Sequence, residues 1–169
     1  MPPFVAAAAG KAGLPAQTWA SYAAMSYNAA AIAGYIGLGF LADRFGRKPI
    51  VMIFFAASFA LTPALYMWTS DPHLLVLIAA INGFFTLGQY SWMAVWLPEL
   101  FPTRMRATGM AFTFNAPRFI AFMGPLFAGM LIAQFGGFSK MAVAFSFIYI
   151  LGFVVVPFLP ETKGRPLPA

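Results

Sequence analysis

The chain has 169 residues, 62% of them hydrophobic and 8% charged, with 10 Lys or Arg against 4 Asp or Glu and a net charge of +6. A soluble domain carries roughly a quarter of its residues as charge, so this composition excludes an ordinary water-soluble fold and fits a chain whose solvent is a bilayer. The basic residues form no continuous stripe, which excludes nucleic acid as a partner, and the lack of Cys removes disulfide frameworks and thiolate metal sites.

In chain order, Met1 to Gly10 is apolar and Ala-rich, with Lys11 after it and no basic residue before it, the wrong order for a secretory signal. This opening reads as a stub, the end of a helix belonging to a longer protein. Five stretches then reach the ~20 mainly apolar residues a spanning helix needs: residues 18–42, 49–68, 74–97, 108–134 and 140–159. The fold class expected is an all-α membrane protein. Between the spans lie Asp43–Lys48, Thr69–His73, Pro98–Ala107 and Phe135–Ser139, each holding Gly, Pro or charge. His73, the one histidine, is expected to be a solvated loop residue.

Short connections make neighbouring spans antiparallel, so alternate loops share a membrane side. One side collects seven basic residues, Arg44, Arg47, Lys48, Arg104, Arg106, Lys163 and Arg165; the other holds Lys11 and Lys140. The positive-inside rule makes the richer side cytoplasmic and puts the C-terminus there. The expected location is a multi-pass integral membrane protein of a bacterial inner membrane or plasma membrane.

Inside the spans the polar residues are few. Arg118 lies ten residues into the fourth, about 15 Å along the helix, where a guanidinium costs at least ~2.5–3.5 kcal/mol and has to face protein or a wet cavity. Asn115 is one turn earlier on the same face. The third span carries Asn82, Gln89 and Tyr90, with Asn82 and Gln89 on one face. The first carries Tyr27 and Asn28, and its Ala30-x-x-x-Gly34 and Ala33-x-x-x-Gly37 patterns predict close helix packing. Trp92 and Trp96 are expected in an interfacial belt.

Three charged signatures fall on the side expected to be cytoplasmic: Gly39-Phe-Leu-Ala-Asp-Arg-Phe-Gly-Arg-Lys48, Pro98-Glu-Leu-Phe-Pro-Thr-Arg-Met-Arg-Ala-Thr-Gly109 and Pro160-Glu-Thr-Lys-Gly-Arg-Pro166. In this order they resemble the major facilitator superfamily of secondary transporters, near its sugar-porter and metabolite–proton-symporter branches. The resemblance covers nearly the whole chain. It implies a twelve-helix transporter built from two six-helix halves around a midplane site, with the stub as the end of helix 7, the five spans as helices 8–12, and an N-terminal half as missing partner. It also implies a cytoplasmic gate made by Asp43, Arg44, Arg47, Lys48, Glu99, Arg104 and Arg106. In that gate Asp43 caps a neighbouring helix N-terminus that belongs to the missing half, Glu99 meets Arg47 or Lys48, and Glu99 and Arg106 match the family's Glu-x6-Arg spacing. Lys163 and Arg165 are read as a plain cytoplasmic tail.

Phe114-Asn-x-x-Arg118 partly resembles a helix-11 segment of carboxylate and sialate symporters. Two readings of Arg118 stand at this point: a ligand for an anionic substrate, or a structural ion pair with an acid elsewhere. The candidate substrate residues are Arg118, Asn115, Gln89, Tyr90 and Asn28. The partners implied are a small-molecule substrate and the lipid bilayer; no metal or cofactor is expected. The function expected is alternating-access transport of a small polar or anionic metabolite, with proton coupling open. The alternatives are a truncated non-functional remnant or a small structural or channel subunit. An enzyme is not expected, because the spans hold no paired carboxylates or His cluster.

Overall fold

The computed structural model describes residues 1–168. All regular structure among them is helical: α1 (Pro2–Lys11), α2 (Ala16–Phe45), α3 (Arg47–Trp68), α4 (Pro72–Leu100), α5 (Arg106–Gln134) and α6 (Phe138–Phe158). Helices α2 to α6 are each long and apolar enough to cross a membrane. Helices α2 and α4 extend past the expected spans at both ends, and α3, α5 and α6 begin two residues before theirs.

The connections are correspondingly tighter than the sequence suggests. Between α2 and α3 only Gly46 is non-helical, at φ 106°, a left-handed conformation that favours glycine. Asp71 caps α4: its Oδ1 accepts from the N–H groups of His73 (2.8 Å) and Leu74 (3.2 Å), and Pro72 fills the first turn, where no N–H is needed. His73 is therefore a first-turn residue of α4 and not a loop residue, with its ring edge-on to Trp19 at 4.5 Å. Prolines mark the irregular points. Pro63 lacks an N–H for the turn behind it, and Ala64–Trp68 widens into a π turn. Pro98 follows a break at Trp96, and Pro125 follows a break at Phe122 that divides α5.

The closest packing is between α2 and α4. A Cβ on Gly34 would overlap the Phe84 carbonyl, one on Gly83 the Tyr27 carbonyl, and one on Gly88 the Gly34 backbone. Glycine lets the two helix backbones touch there, as the small-residue pattern of the first span predicts. Three buried clusters hold the rest. Val5, Ala8, Ala23, Leu65, Leu75 and Ala79 tie α1 to α2, α3 and α4. Leu38, Ala42, Ile50 and Phe54 meet Phe84 and Phe85. Val51, Trp96 and Val156 fasten the end of α6 to α3 and α4. Trp96 is thus a core residue, 1% exposed, with its indole Nε1 donating to the Pro160 carbonyl at 3.3 Å; the belt expectation fails for it because that carbonyl satisfies its polar edge inside the protein.

Helix α5 differs from the others: none of its residues is buried, and its main packing is with the end of α4 before it and α6 after it. The outer surface is apolar, with Phe40, Ile53, Leu77 and Phe158 among the exposed side chains, as lipid contact requires.

Candidate functional site

Three sequence signatures meet at one end of the bundle, where α2, α4 and α6 finish and α3 and α5 begin. Arg47 is at the centre. Its Nη2 donates to Glu99 Oε1 at 2.7 Å and its Nε to Glu99 Oε2 at 3.0 Å, a bidentate pair between α3 and α4. Its Nη1 reaches Asp43 Oδ1 at 2.9 Å and the Ala42 carbonyl at 3.2 Å. The expected meeting of Glu99 with a base of the first loop is therefore made, by Arg47. Lys48 instead sends Nζ to the Pro157 carbonyl at 2.8 Å.

The acid that caps α3 is not Asp43. Glu161, just beyond α6, accepts the Arg47 N–H through Oε1 and the Lys48 N–H through Oε2, both at 3.0 Å. Asp43 sits in the last turn of α2, 68% exposed, and makes an i,i+4 pair instead. Glu161 Oε1 also takes the N–H groups of Thr162 and Lys163, each at 3.0 Å. Partial burial alone would raise the Glu161 pKa; the four backbone donors outweigh it and hold the carboxyl below its ordinary value of 4.5. A Cβ at Gly46 would meet Glu161 Oε2 at 3.0 Å, so the glycine also keeps the approach open.

The tail adds further ties. Thr162 is buried and its hydroxyl donates to Glu99 Oε2, while Lys163 Nζ reaches the Arg44 carbonyl at 2.6 Å. Arg106 does not pair with Glu99. Its Nε bonds the Pro98 carbonyl at 2.9 Å and its Nη2 the Pro168 carbonyl at 3.1 Å. Arg104 is exposed. Glu161 and Thr162 were missed as contact residues by sequence reasoning, although Glu161 is one of only four acids in the chain and follows a span directly.

The candidate substrate residues divide. Arg118 and Asn115 line one groove of about 420 Å³ on α5 with Phe119 and Phe122. The Arg118 guanidinium lies over the Phe114 ring, 3.9 Å from its centroid, a cation–π contact that orients it. Asn115 Nδ2 donates to the Ala111 carbonyl at 2.7 Å, which leaves its oxygen outward. Gln89, Tyr90 and Asn28 do not line that groove. Gln89 is buried in α4, Tyr90 is 51% exposed, and Asn28 Nδ2 bonds back to the Ala24 carbonyl at 2.7 Å.

Comparison with known proteins adds the relationship. The chain is 34% identical over 137 residues to a glycine betaine/proline/ectoine/pipecolic acid transporter of Dickeya dadantii, covering 77% of this chain and 26% of that protein. It is 31% identical over 137 residues to a proline/betaine transporter of Escherichia coli K12, with coverages of 77% and 26%. It is 29% identical over 157 residues to a cis,cis-muconate transport protein of Acinetobacter baylyi, with coverages of 91% and 37%. The chain thus spans between 26% and 37% of the length of these curated relatives. No solved structure gives a significant match. The family model of the Major Facilitator Superfamily runs through residues 1–168, across all three charged signatures and all five apolar helices. This multi-pass membrane chain belongs to the major facilitator superfamily.

Proposed function

We propose that the chain is the carboxyl-terminal part of a secondary transporter that moves a small anionic or zwitterionic metabolite by alternating access, and that it acts as a transporter and not as an enzyme. Helix α1 is the end of helix 7, and α2 to α6 are helices 8 to 12. The paired end faces the cytoplasm, because it gathers seven of the ten basic residues. The N-terminal six-helix half is the partner against which it rocks.

The observation that carries the substrate class is Arg118. A guanidinium deep in an apolar helix, oriented by Phe114 and bordered by Asn115, supplies a fixed positive fork suited to a carboxylate. The cargoes named for the relatives include proline, pipecolic acid and muconate, all carboxyl-bearing molecules. Arg47, Glu99, Glu161 and Asp43 form the cytoplasmic charge lock, which opens when the halves rock.

The test is uptake by the transporter in proteoliposomes. A charge-assisted hydrogen bond contributes ~1.5–3 kcal/mol, so Arg118→Ala is expected to weaken substrate binding at least about tenfold, with Arg118→Lys intermediate and thermal unfolding unchanged. Unaltered uptake in Arg118→Ala refutes the binding role. Uptake with and without an imposed proton gradient reads the coupling.

A further inference from the structure

A second cavity lies away from the Arg118 groove, between α6 and the core made by α2, α3 and α4. It has a volume of about 340 Å³. Tyr27 comes from α2, Thr62 and Tyr66 from α3, and Asn82 and Thr86 from α4. Ser146 and Tyr149 of α6 close the other side. All seven positions lie inside spanning segments.

The hydrogen bonding of this chamber is incomplete. Asn82 is 5% exposed and its Nδ2 has no protein partner; Thr86 Oγ1 and, alongside, Gln89 Oε1 have none either. The Tyr149 phenol lies within reach of Thr86 and Gln89 and can serve those two oxygens, which leaves Asn82 Nδ2 as the donor without a protein partner. Thr62 and Ser146 have spent their protons on backbone carbonyls, Thr62 on Ser58 at 2.8 Å and Ser146 on Val143 at 2.6 Å, so both offer only acceptor lone pairs to the cavity. An unmet polar group at membrane depth costs several kcal/mol. A buried amide donor set against hydroxyl acceptors in one cavity calls for an occupant.

The lining chemistry selects that occupant. No Asp, Glu, Lys, Arg or His lines the cavity, so neither an anion nor a divalent cation finds a counter-charge. A free amide donor beside hydroxyl acceptors argues against a monovalent metal ion, which needs oxygens alone. The rings of Tyr27, Tyr66, Phe145 and Tyr149 add apolar faces between the polar points. We infer that the chamber is a binding site for a small neutral polyol, whose hydroxyls both donate and accept and whose C–H faces rest on aromatic rings. Bound there, it bridges α6 to α3 and α4. The inference does not depend on the carboxylate reading of Arg118, since the two sites share no residue.

The test uses the protein in lipid nanodiscs, with meso-erythritol as neutral probe and tartrate as its anionic counterpart. Ser146→Cys, in a background without other reactive thiols, reports access to the chamber through its rate of reaction with neutral methyl methanethiosulfonate. Erythritol is expected to slow that reaction at least about fivefold and saturably, tartrate not at all, and Asn82→Leu to remove the protection. Because Ser146→Cys alters the wall, thermal unfolding of the unmodified protein is the second measurement: Tm rises to a plateau with erythritol, but only linearly, as for any osmolyte, in Asn82→Leu and in Thr86→Val. Reaction without protection together with matching linear Tm responses identifies a chamber that holds water alone and overturns the proposal. Equal protection by tartrate also overturns it.

Discussion

Arg47 and Glu99 are joined fork to fork across α3 and α4, with their side chains only 11% and 19% exposed. Removing one partner of such a pair strands the other, at a cost of ~3–5 kcal/mol for a fully buried pair and nearer the lower figure here. Glu99→Ala is therefore expected to lower stability by about 3 kcal/mol. The double variant Arg47→Met/Glu99→Leu should recover most of the loss, because neither charge is left alone. Denaturant or thermal unfolding in nanodiscs of the wild type, Arg47→Met, Glu99→Leu and the double variant closes the cycle, and an additive double variant would show that the pair is not coupled.

Asp43 binds the same guanidinium from an exposed position, and exposed i,i+4 pairs contribute only ~0.3–0.5 kcal/mol. Asp43→Asn should leave stability nearly unchanged. Its expected effect is on the balance of states, read as altered thiol accessibility on the two sides of the membrane. An unchanged accessibility pattern would remove Asp43 from the gate.

Glu161 gives a pH signature. Its folded pKa is depressed, so its stabilising contribution is fully present above the ordinary value of 4.5 and is lost as pH falls through the lower folded value. Tm should fall as the pH drops below the ordinary value of 4.5, and Glu161→Gln should flatten that part of the curve while costing about 1 kcal/mol at neutral pH as a lost helix cap. A wild-type slope in Glu161→Gln would assign the acid sensitivity to another group.

Two glycines on α2 separate packing from propensity. A Cβ at Gly34 overlaps α4 backbone, whereas a Cβ at Gly39 meets nothing within 4 Å. Gly34→Ala should destabilise by ~1–3 kcal/mol through overpacking. Gly39→Ala should be neutral or stabilising by up to ~1 kcal/mol, the helix-propensity difference. Equal effects on unfolding would contradict the close α2–α4 crossing.

What could be read in the sequence follows from what acts locally. Long apolar runs against a few charges forced the helices and their number, and Gly34 announced a close crossing because only a side chain without Cβ permits one. Arg47 with Glu99 was legible because opposite charges on one membrane side have few other partners. The cap on α3 was not legible, because Glu161 reaches those N–H groups from the far end of the chain. His73 and Trp96 also differed, one drawn into a helix by the Asp71 cap and the other into the core by the Pro160 carbonyl. Of the substrate candidates, helical spacing places Asn115 and Arg118 on one groove, while Gln89 is buried in α4 away from it.

The sequence by itself determined that this is a membrane-spanning chain of the transporter family, since composition, span length and three ordered loop signatures need no knowledge of packing. Only the tertiary structure decided which acid serves which base. Glu161 caps α3 from residues more than a hundred positions away, and a polar chamber opens where α6 lies across α3 and α4. Hydrogen bonds and cavities depend on distances of a few ångströms between helices, and those distances are set by how the helices pack and not by what any one of them contains.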